Sequence, residues 1–430
     1  MTYFARGGAD VELGEADLRA GLTEALEKIG PRRKVIAVPP DITRLPSQAG
    51  PLTRMAHDYY GERLAAVLPA IGTHHAMSDD QIEMMYGDIP RSLFMVHDWQ
   101  DGLATLGRIE ASRIRELSEG KLDFDWPAQV NREIAEGGYD LVLSIGQVVP
   151  HEVIGMANYN KNIFVGTGGS EAIAKSHYLG AVYGMERIMG RADSPVRAVL
   201  NEATERFASK LPIVYALTVV EAVADPAGGA TRLVVRGLFV GDDTECYYEA
   251  AALARKVNVF LLDAPIRKIV AYMDPREYSS TWVGNKAIYR TRMALADDAE
   301  LVVIAPGVHQ FGENELFDRL IAKHGYHGTE ATLAAVESDP ELASTLSAAA
   351  HLIHGSSEGR FRIRYAAGGL DDHQIRSVGF EPMRVADALE RYPTETMRDG
   401  WNTMDDGEEV FYISNPALGL WAEANRFGRE

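Results

Sequence analysis

The stretch from His151 to His177, HEVIGMANYNKNIFVGTGGSEAIAKSH, holds a histidine, a lysine ten residues on, a glycine-rich turn and a second histidine sixteen residues after the lysine. Imidazole titrates near neutral pH, so His151 can take or give a proton under working conditions. Lys161 places an amine between the two histidines, ahead of a short apolar run. The turn GTGGS, 166–170, opens a helix, and the backbone N–H groups there suit an anion; Gly166, Gly168 and Gly169 are the candidates to receive it. His177, one or two turns into that helix, is a candidate ligand. Each feature also has a plain explanation. A lysine is usually a solvated amine and a lone helical histidine is usually structural. The glycine pattern is neither GxGxxG nor a P-loop.

Three other stretches carry chemistry-bearing residues. In PPDITRLPSQAG, 39–50, a strand ends at the two prolines, so Asp41, Thr43 and Arg44 fall on a loop at a strand's carboxyl end. That is where open α/β sheets bind ligands. Arginine can hold a carboxylate or phosphate through two parallel hydrogen bonds, though Asp and Thr are also common turn residues. In AIGTHHAMSDDQIEMMYG, 70–87, His74 and His75 sit between a short apolar run and a helix capped by Ser78. Neighbours on an extended chain point in opposite directions, so one of the two histidines is expected to enter a cleft. In YSSTWVGNKAIYRTR, 278–292, Lys286, Arg290 and Arg292 form a basic cluster, with Lys286 and Arg290 on one helix face. Such a face can meet an anion or pair with surface acids.

These loops need strands and helices to hold them. RKVIAVPP (33–40), YDLVLSIGQVV (139–149) and NIFVG (162–166) read as strands, and TRMAHDYYGERLAAVL (53–68) as a helix. IVYALTVVEA (213–222) and RLVVRGLFV (232–240) read as a pair joined by the turn DPAGGAT. CYYEAAALARKV (246–257) is helical and NVFLLDAP (258–265) returns as a strand. The pattern then restarts: strand 266–273, helix 281–296, strand 300–306, helix 314–325, helices within 329–356, and strands 361–367 and 408–414. The alternation predicts two α/β domains with mostly parallel sheets, a cofactor-binding domain over 1–265 and a substrate-side domain over 266–430, with the active site in the cleft between them.

The 430 residues are too many for one ordinary core, and 46% hydrophobic with 24% charged is a globular composition. A net charge of −19 argues against nucleic acid or an anionic membrane as the partner. Cys246, the single cysteine, excludes an internal disulfide or a cysteine-rich metal site. No basic segment followed by an apolar core opens the chain, and no apolar run approaches the ~20 residues of a membrane helix, so a cytoplasmic protein is expected.

Taken together, Asp41-Ile42-Thr43-Arg44, then Gly72-Thr73-His74, then His151, Lys161 and His177 resemble the nickel-dependent lactate racemase family in order and spacing. The resemblance is strongest from 39 to 180. It implies a nickel-pincer nucleotide, a pyridinium mononucleotide with sulfur substituents, tethered to Lys161 through a thioamide and supplied by cofactor biosynthesis proteins that act transiently on the chain. Two sulfurs and a ring carbon bind the nickel, and His177 is the implied fourth ligand, a donor set reasonable for nickel(II). His74 and His151 are the implied acid/base pair. Arg44 and Lys286 are the implied holders of a 2-hydroxy acid, with Asp41 and Thr43 beside the cofactor. Hydride removal from such an acid, with a base taking the hydroxyl proton, gives a planar 2-keto acid that can accept the hydride on its other face.

The segment Ala157-Asn158-Tyr159-Asn160 before Lys161 stands where lactate-type members carry small residues, and Val283 stands where a glutamine is expected. With Thr281, Asn285 and Tyr289 near Lys286, these departures favour a larger 2-hydroxy acid, a sugar acid such as an aldonate among the candidates. The reaction would then be an epimerisation. Two other classes remain: a non-catalytic nucleotide- or sugar-acid-binding homologue, and a mononuclear metal hydrolase using His74, His75, His151 and His177.

Overall fold

The computed structural model describes residues 1–223 and 232–428. The fold is α/β with mostly parallel sheets, as the alternation predicts, and it divides into two compact units. The first holds 1–179 and 188–258, the second 180–187 and 259–430.

The first unit is built on six strands: β1 (Thr2–Gly7), β2 (Val35–Val38), β3 (Leu64–Val67), β4 (Leu141–Gln147), β5 (Ile213–Val223) and β6 (Arg232–Gly241). Their order across the sheet is β1-β6-β5-β4-β2-β3. The strands from β3 to β5 run parallel, and β5, β6 and β1 are antiparallel neighbours. Parallel strands must be covered on both faces, and β2 (Val-Ile-Ala-Val) is buried at every residue. The helix Glu15–Ile29 offers Leu18, Leu22, Ala25, Leu26 and Ile29 at three- and four-residue spacing, and these join the core with Leu52, Met55 and Ala56 of the helix Ala49–Tyr60. The pairing of 213–222 with 232–240 is realised as β5 and β6. The turn DPAGGAT falls outside the described residues.

Three sequence expectations are corrected. The stretch 53–68 is α-helical only to Tyr60; after the 3₁₀ turn Gly61–Arg63 the apolar run is strand β3, paired in parallel with β2. Residues 162–166 do not form a strand, because Asn160–Phe164 is a short helix. Asn162 fixes it there: its Nδ2 donates to Val38 O at 2.8 Å and to Ser144 Oγ at 3.0 Å, tying the helix to β2 and β4. Tertiary contacts thus override the strand preference of Ile163 and Val165. The stretch 281–296 is two short helices, Thr281–Gly284 and Lys286–Thr291, followed by a strand from Leu295.

The second unit carries β7 (Val259–Leu262), β8 (Ile266–Tyr272), β9 (Leu295–Ala305), β10 (Arg362–Ala367), β11 (Glu381–Pro382), β12 (Gly400–Thr403), β13 (Glu409–Ile413) and β14 (Leu420–Glu423). Six of them form one sheet, ordered β11-β10-β9-β8-β13-β12, in which only the β12–β13 pair is antiparallel. β7 and β14 form a separate parallel pair.

Candidate active site

In the first sheet, β2 lies between β3 and β4, so the chain leaves the carboxyl ends of three adjacent parallel strands in different directions. Open α/β sheets bind ligands at such a switch point, outside the carboxyl ends of the strands. Asp41 and Arg44 follow β2, His74 follows β3, and His151 follows β4.

Asp41 caps the 3₁₀ turn Ile42–Ser47: its Oδ1 accepts from the Thr43 N–H at 3.1 Å and from the Thr43 hydroxyl. The other oxygen, Oδ2, lies 2.8 Å from His74 Nδ1. Asp41 is only 5% exposed. Burial works against its ionisation, but hydrogen bonds from His74 and Thr43 outweigh it and hold the carboxyl below its ordinary value. A carboxylate accepts, so His74 Nδ1 carries a hydrogen, and in the neutral ring Nε2 is the nitrogen with the lone pair. His74 itself is 63% exposed at the side chain. His75 is exposed too, and His74 is the one that reaches the buried acid. Between these loops, the Gly72 N–H donates to Gly166 O at 2.8 Å, in a backbone turn with φ of 58°.

His151 is buried in the small hairpin Pro150–His151/Gly155–Met156. Its Nδ1 accepts from the Val153 N–H at 3.2 Å, so the neutral ring carries its hydrogen on Nε2, the opposite tautomer to His74. Burial drives its pKa well down, Glu152 opposes this, and Lys161, Arg44 and His177 add to the fall. Lys161 lies on the helix Asn160–Phe164, half-buried, and its ammonium has no ion pair or hydrogen bond among the described residues. Burial lowers its pKa to about 8; Arg44 adds to the drop, while Glu152 and Asp41 oppose it. The Arg44 guanidinium is half-buried and likewise makes no ion pair or hydrogen bond among the described residues.

His177 stands on the helix Ser170–Tyr183, and its Nδ1 lies 2.7 Å from Ile173 O. A carbonyl only accepts, so Nδ1 carries the hydrogen and Nε2 is left with a lone pair for a metal. Burial lowers its pKa to about 4, which keeps the ring in the neutral, ligating form.

The glycine turn is packed into the fold. A Cβ at Gly166 would meet Asn162 O at 2.4 Å, one at Gly168 would meet Phe164 O at 1.9 Å, and one at Gly169 would meet Gln129 Oε1 at 2.4 Å. Close packing against backbone carbonyls therefore accounts for Gly166 and Gly168, whereas Gly169 faces only the side chains of Gln129 and Leu103, which can yield. The buried His97 reinforces the turn: it donates from Nε2 to Gly168 O at 3.0 Å while Nδ1 accepts from Asn131 Nδ2 at 3.0 Å. Sequence reading missed His97, Asn131 and Asn162, because nothing local marks a buried polar residue.

In the second unit the basic cluster divides. Arg292 is buried and paired with Glu186 at 3.0 Å, and Arg290 is buried as well. Lys286 is half-buried with its ammonium 5.8 Å over the Tyr278 ring. Nearby, Tyr289 and Tyr326 bracket His351, each hydroxyl 3.0 Å from one ring nitrogen.

Residues 19–188 match the lactate racemase N-terminal domain family. A protein of known crystal structure from Thermotoga maritima is 23% identical, with a TM-score of 0.79 over 97% of this chain and 99% of that one. The lactate racemase apoprotein from Thermoanaerobacterium thermosaccharolyticum is 13% identical, with a TM-score of 0.69 over 98% of this chain and 94% of that one. At these identities the two likenesses establish the fold. No curated protein matches the chain.

Proposed function

We propose, for a chain whose residues 19–188 belong to the lactate racemase N-terminal domain family, that it is an isomerase inverting the hydroxyl-bearing carbon of a 2-hydroxy acid. Lys161 is the tether for a nickel-pincer nucleotide and His177 supplies an imidazole to its nickel. One observation carries this reading most of all: an unpaired amine with a pKa near 8 shares its electrostatic surroundings with a neutral imidazole whose Nε2 lone pair is left open. Among the described residues no group of three or more His, Cys, Asp or Glu can hold a metal ion. A metal at His177 would therefore draw its remaining donors from a bound organic group, which fits a pincer ligand and counts against a protein-ligated hydrolytic centre. When bound, such a cofactor supplies a hydride acceptor and donor.

The chain's own residues do the rest. His74 accepts the substrate hydroxyl proton at Nε2, and Asp41 stabilises the imidazolium that forms. His151 in its neutral form offers the Nε2 hydrogen to a substrate oxygen. To act as a base through Nε2 it must give up the Val153 bond, a cost of about 1 kcal/mol that an acid/base partner can bear. Arg44, with no acid partner of its own among the described residues, clamps the carboxylate. The departures from the lactate-type pattern at 157–160 and at Val283 are the ground for an acid larger than lactate, of aldonate size.

The test is peptide mass spectrometry of Lys161 after co-expression with cofactor biosynthesis proteins in nickel-supplemented cells. A sulfur- and phosphate-containing adduct on Lys161 is expected, followed by turnover of one member of a panel of 2-hydroxy acids and aldonates. An unmodified Lys161, under conditions that load a lactate racemase, overturns the reading.

A further inference from the structure

The backbone that delivers Lys161 is strained, and the agent that holds it lies outside the motifs. Asn158 and Tyr159, neither of them glycine, have φ of 65° and 58°. Tyr159 pairs that φ with a ψ of −138°, an unfavourable region for an aromatic residue, immediately before the helix Asn160–Phe164 begins. Such a turn persists only where its surroundings over-determine it.

Arg197 supplies that constraint. It lies on the helix Pro195–Ala203 and is 0% exposed. Its guanidinium donates from Nη2 to Met156 O at 2.8 Å and to Asn158 O at 3.2 Å, and from Nη1 to Asn160 Oδ1. It lies 4.3 Å over the Tyr247 ring, which stacks on Tyr159 at 5.1 Å. No carboxylate pairs with it among the described residues. A fully buried guanidinium is rare without an acid partner, yet the two carbonyls and the amide oxygen that accept from this one all belong to residues 156–160, and Tyr247 is its other side-chain partner. The rest of its helix grips the same segment: the Ser194 hydroxyl donates to Ile154 O at 3.0 Å, and Asn160 Nδ2 donates to Asn201 Oδ1 at 2.7 Å.

We infer that Arg197 is the positioning residue of the tether: its fork imposes the strained 156–160 turn, and that turn fixes where the Lys161 side chain leaves the backbone. Asn162 completes the mount from the other side through β2 and β4. A floppy lysine would let a tethered group wander, and misplacement of about 1 Å costs on the order of 10²-fold in rate. The inference rests on Lys161 being the tether.

The test compares Arg197→Lys, which keeps the cation but loses the fork, with Asn160→Ala, which keeps the guanidinium but removes one acceptor. Hydrogen exchange is followed at the amides of 157–162 in the apo chain, with β2 and β4 as internal controls. Both variants are expected to exchange at least tenfold faster at 157–162 with the control strands unchanged. After co-expression for loading, adduct occupancy at Lys161 should fall at least fivefold, and kcat per loaded site should fall more than KM changes. Wild-type exchange at 157–162 in both variants, or wild-type occupancy and kcat per site, overturns the inference. An unloaded wild-type Lys161 would sink the tether reading and this assignment with it. A loaded wild type with indifferent variants would sink the assignment of Arg197 alone.

Discussion

At the scale of single residues, Asp41, Lys161 and His177 each hold a state set by their neighbours. The sequence offered the residue types but not these states. Asp41 alone looked like a turn residue; only its 2.8 Å approach to His74 Nδ1 makes it the partner of that imidazole, the proposed base. Asp41→Asn keeps the shape but withdraws the charge behind His74 and allows the amide to favour the wrong tautomer. A fall in kcat of about 10²-fold or more is expected, in the range usual for a lost acid/base group. An unchanged kcat–pH profile would remove Asp41 from the proton path. Lys161 makes a prediction of opposite sign. Burial and Arg44 bring its folded-state pKa to about 8, against about 10.4 in the unfolded chain. Between those values the unfolded chain binds more protons, so stability climbs as pH rises from about 8 toward 10.4, and below 8 the full cost of the buried ammonium is present. Lys161→Met should therefore raise the Tm of the apo chain at pH 7, by about 2–5 °C, with the gain shrinking from about pH 8 upward and gone by about pH 10.4. A lowered Tm at pH 7 would mean that the ammonium is stabilised by its surroundings.

At the scale of elements, two of the three strands that lead to the site were legible because buried parallel strands are short, apolar and flanked by proline or glycine, whereas β3 was read as the end of a helix. β2 and β4 follow that rule, and so did the loops that leave them. The failures came where long-range contacts outvoted local preference. Residues 162–166 carry Ile and Val, yet Asn162 bonds to Val38 and Ser144, more than a dozen residues away, and holds them helical. Arg197 was invisible for the same reason: its acceptors lie some forty positions back and nothing in SPVRAVL marks it as buried. The glycine turn can be tested at this scale. A Cβ at Gly168 would lie 1.9 Å from a backbone carbonyl, which cannot yield as a flexible side chain can. Gly168→Ala should cost about 3 kcal/mol or prevent folding, measured by denaturant unfolding of the apo chain. A stability loss within 0.5 kcal/mol, together with lost cofactor binding, would instead favour a turn shaped by its anion.

For the whole molecule, the alternation of strands and helices was enough to anticipate α/β architecture, because a strand-helix repeat has few ways to bury both faces of a sheet. Composition contributed a second molecular property, the net charge of −19. The proposed 2-hydroxy acid substrate is an anion, so the field of the whole chain would repel it while Arg44, its proposed clamp, would attract it locally. The two effects have different ranges. The diffuse repulsion is screened once the Debye length falls to about 8 Å at physiological ionic strength, whereas a direct guanidinium–carboxylate contact is screened far less. Raising salt from about 10 to 150 mM should therefore increase kcat/KM for the anionic substrate, by about two- to threefold. In an Arg44→Ala variant kcat/KM should start at least tenfold lower, through a raised KM, and still rise with salt, since the global field is almost unchanged. A wild-type kcat/KM that falls steeply with salt would mean that long-range attraction by a basic surface governs substrate capture, and the division of labour between Arg44 and the rest of the chain would have to be redrawn.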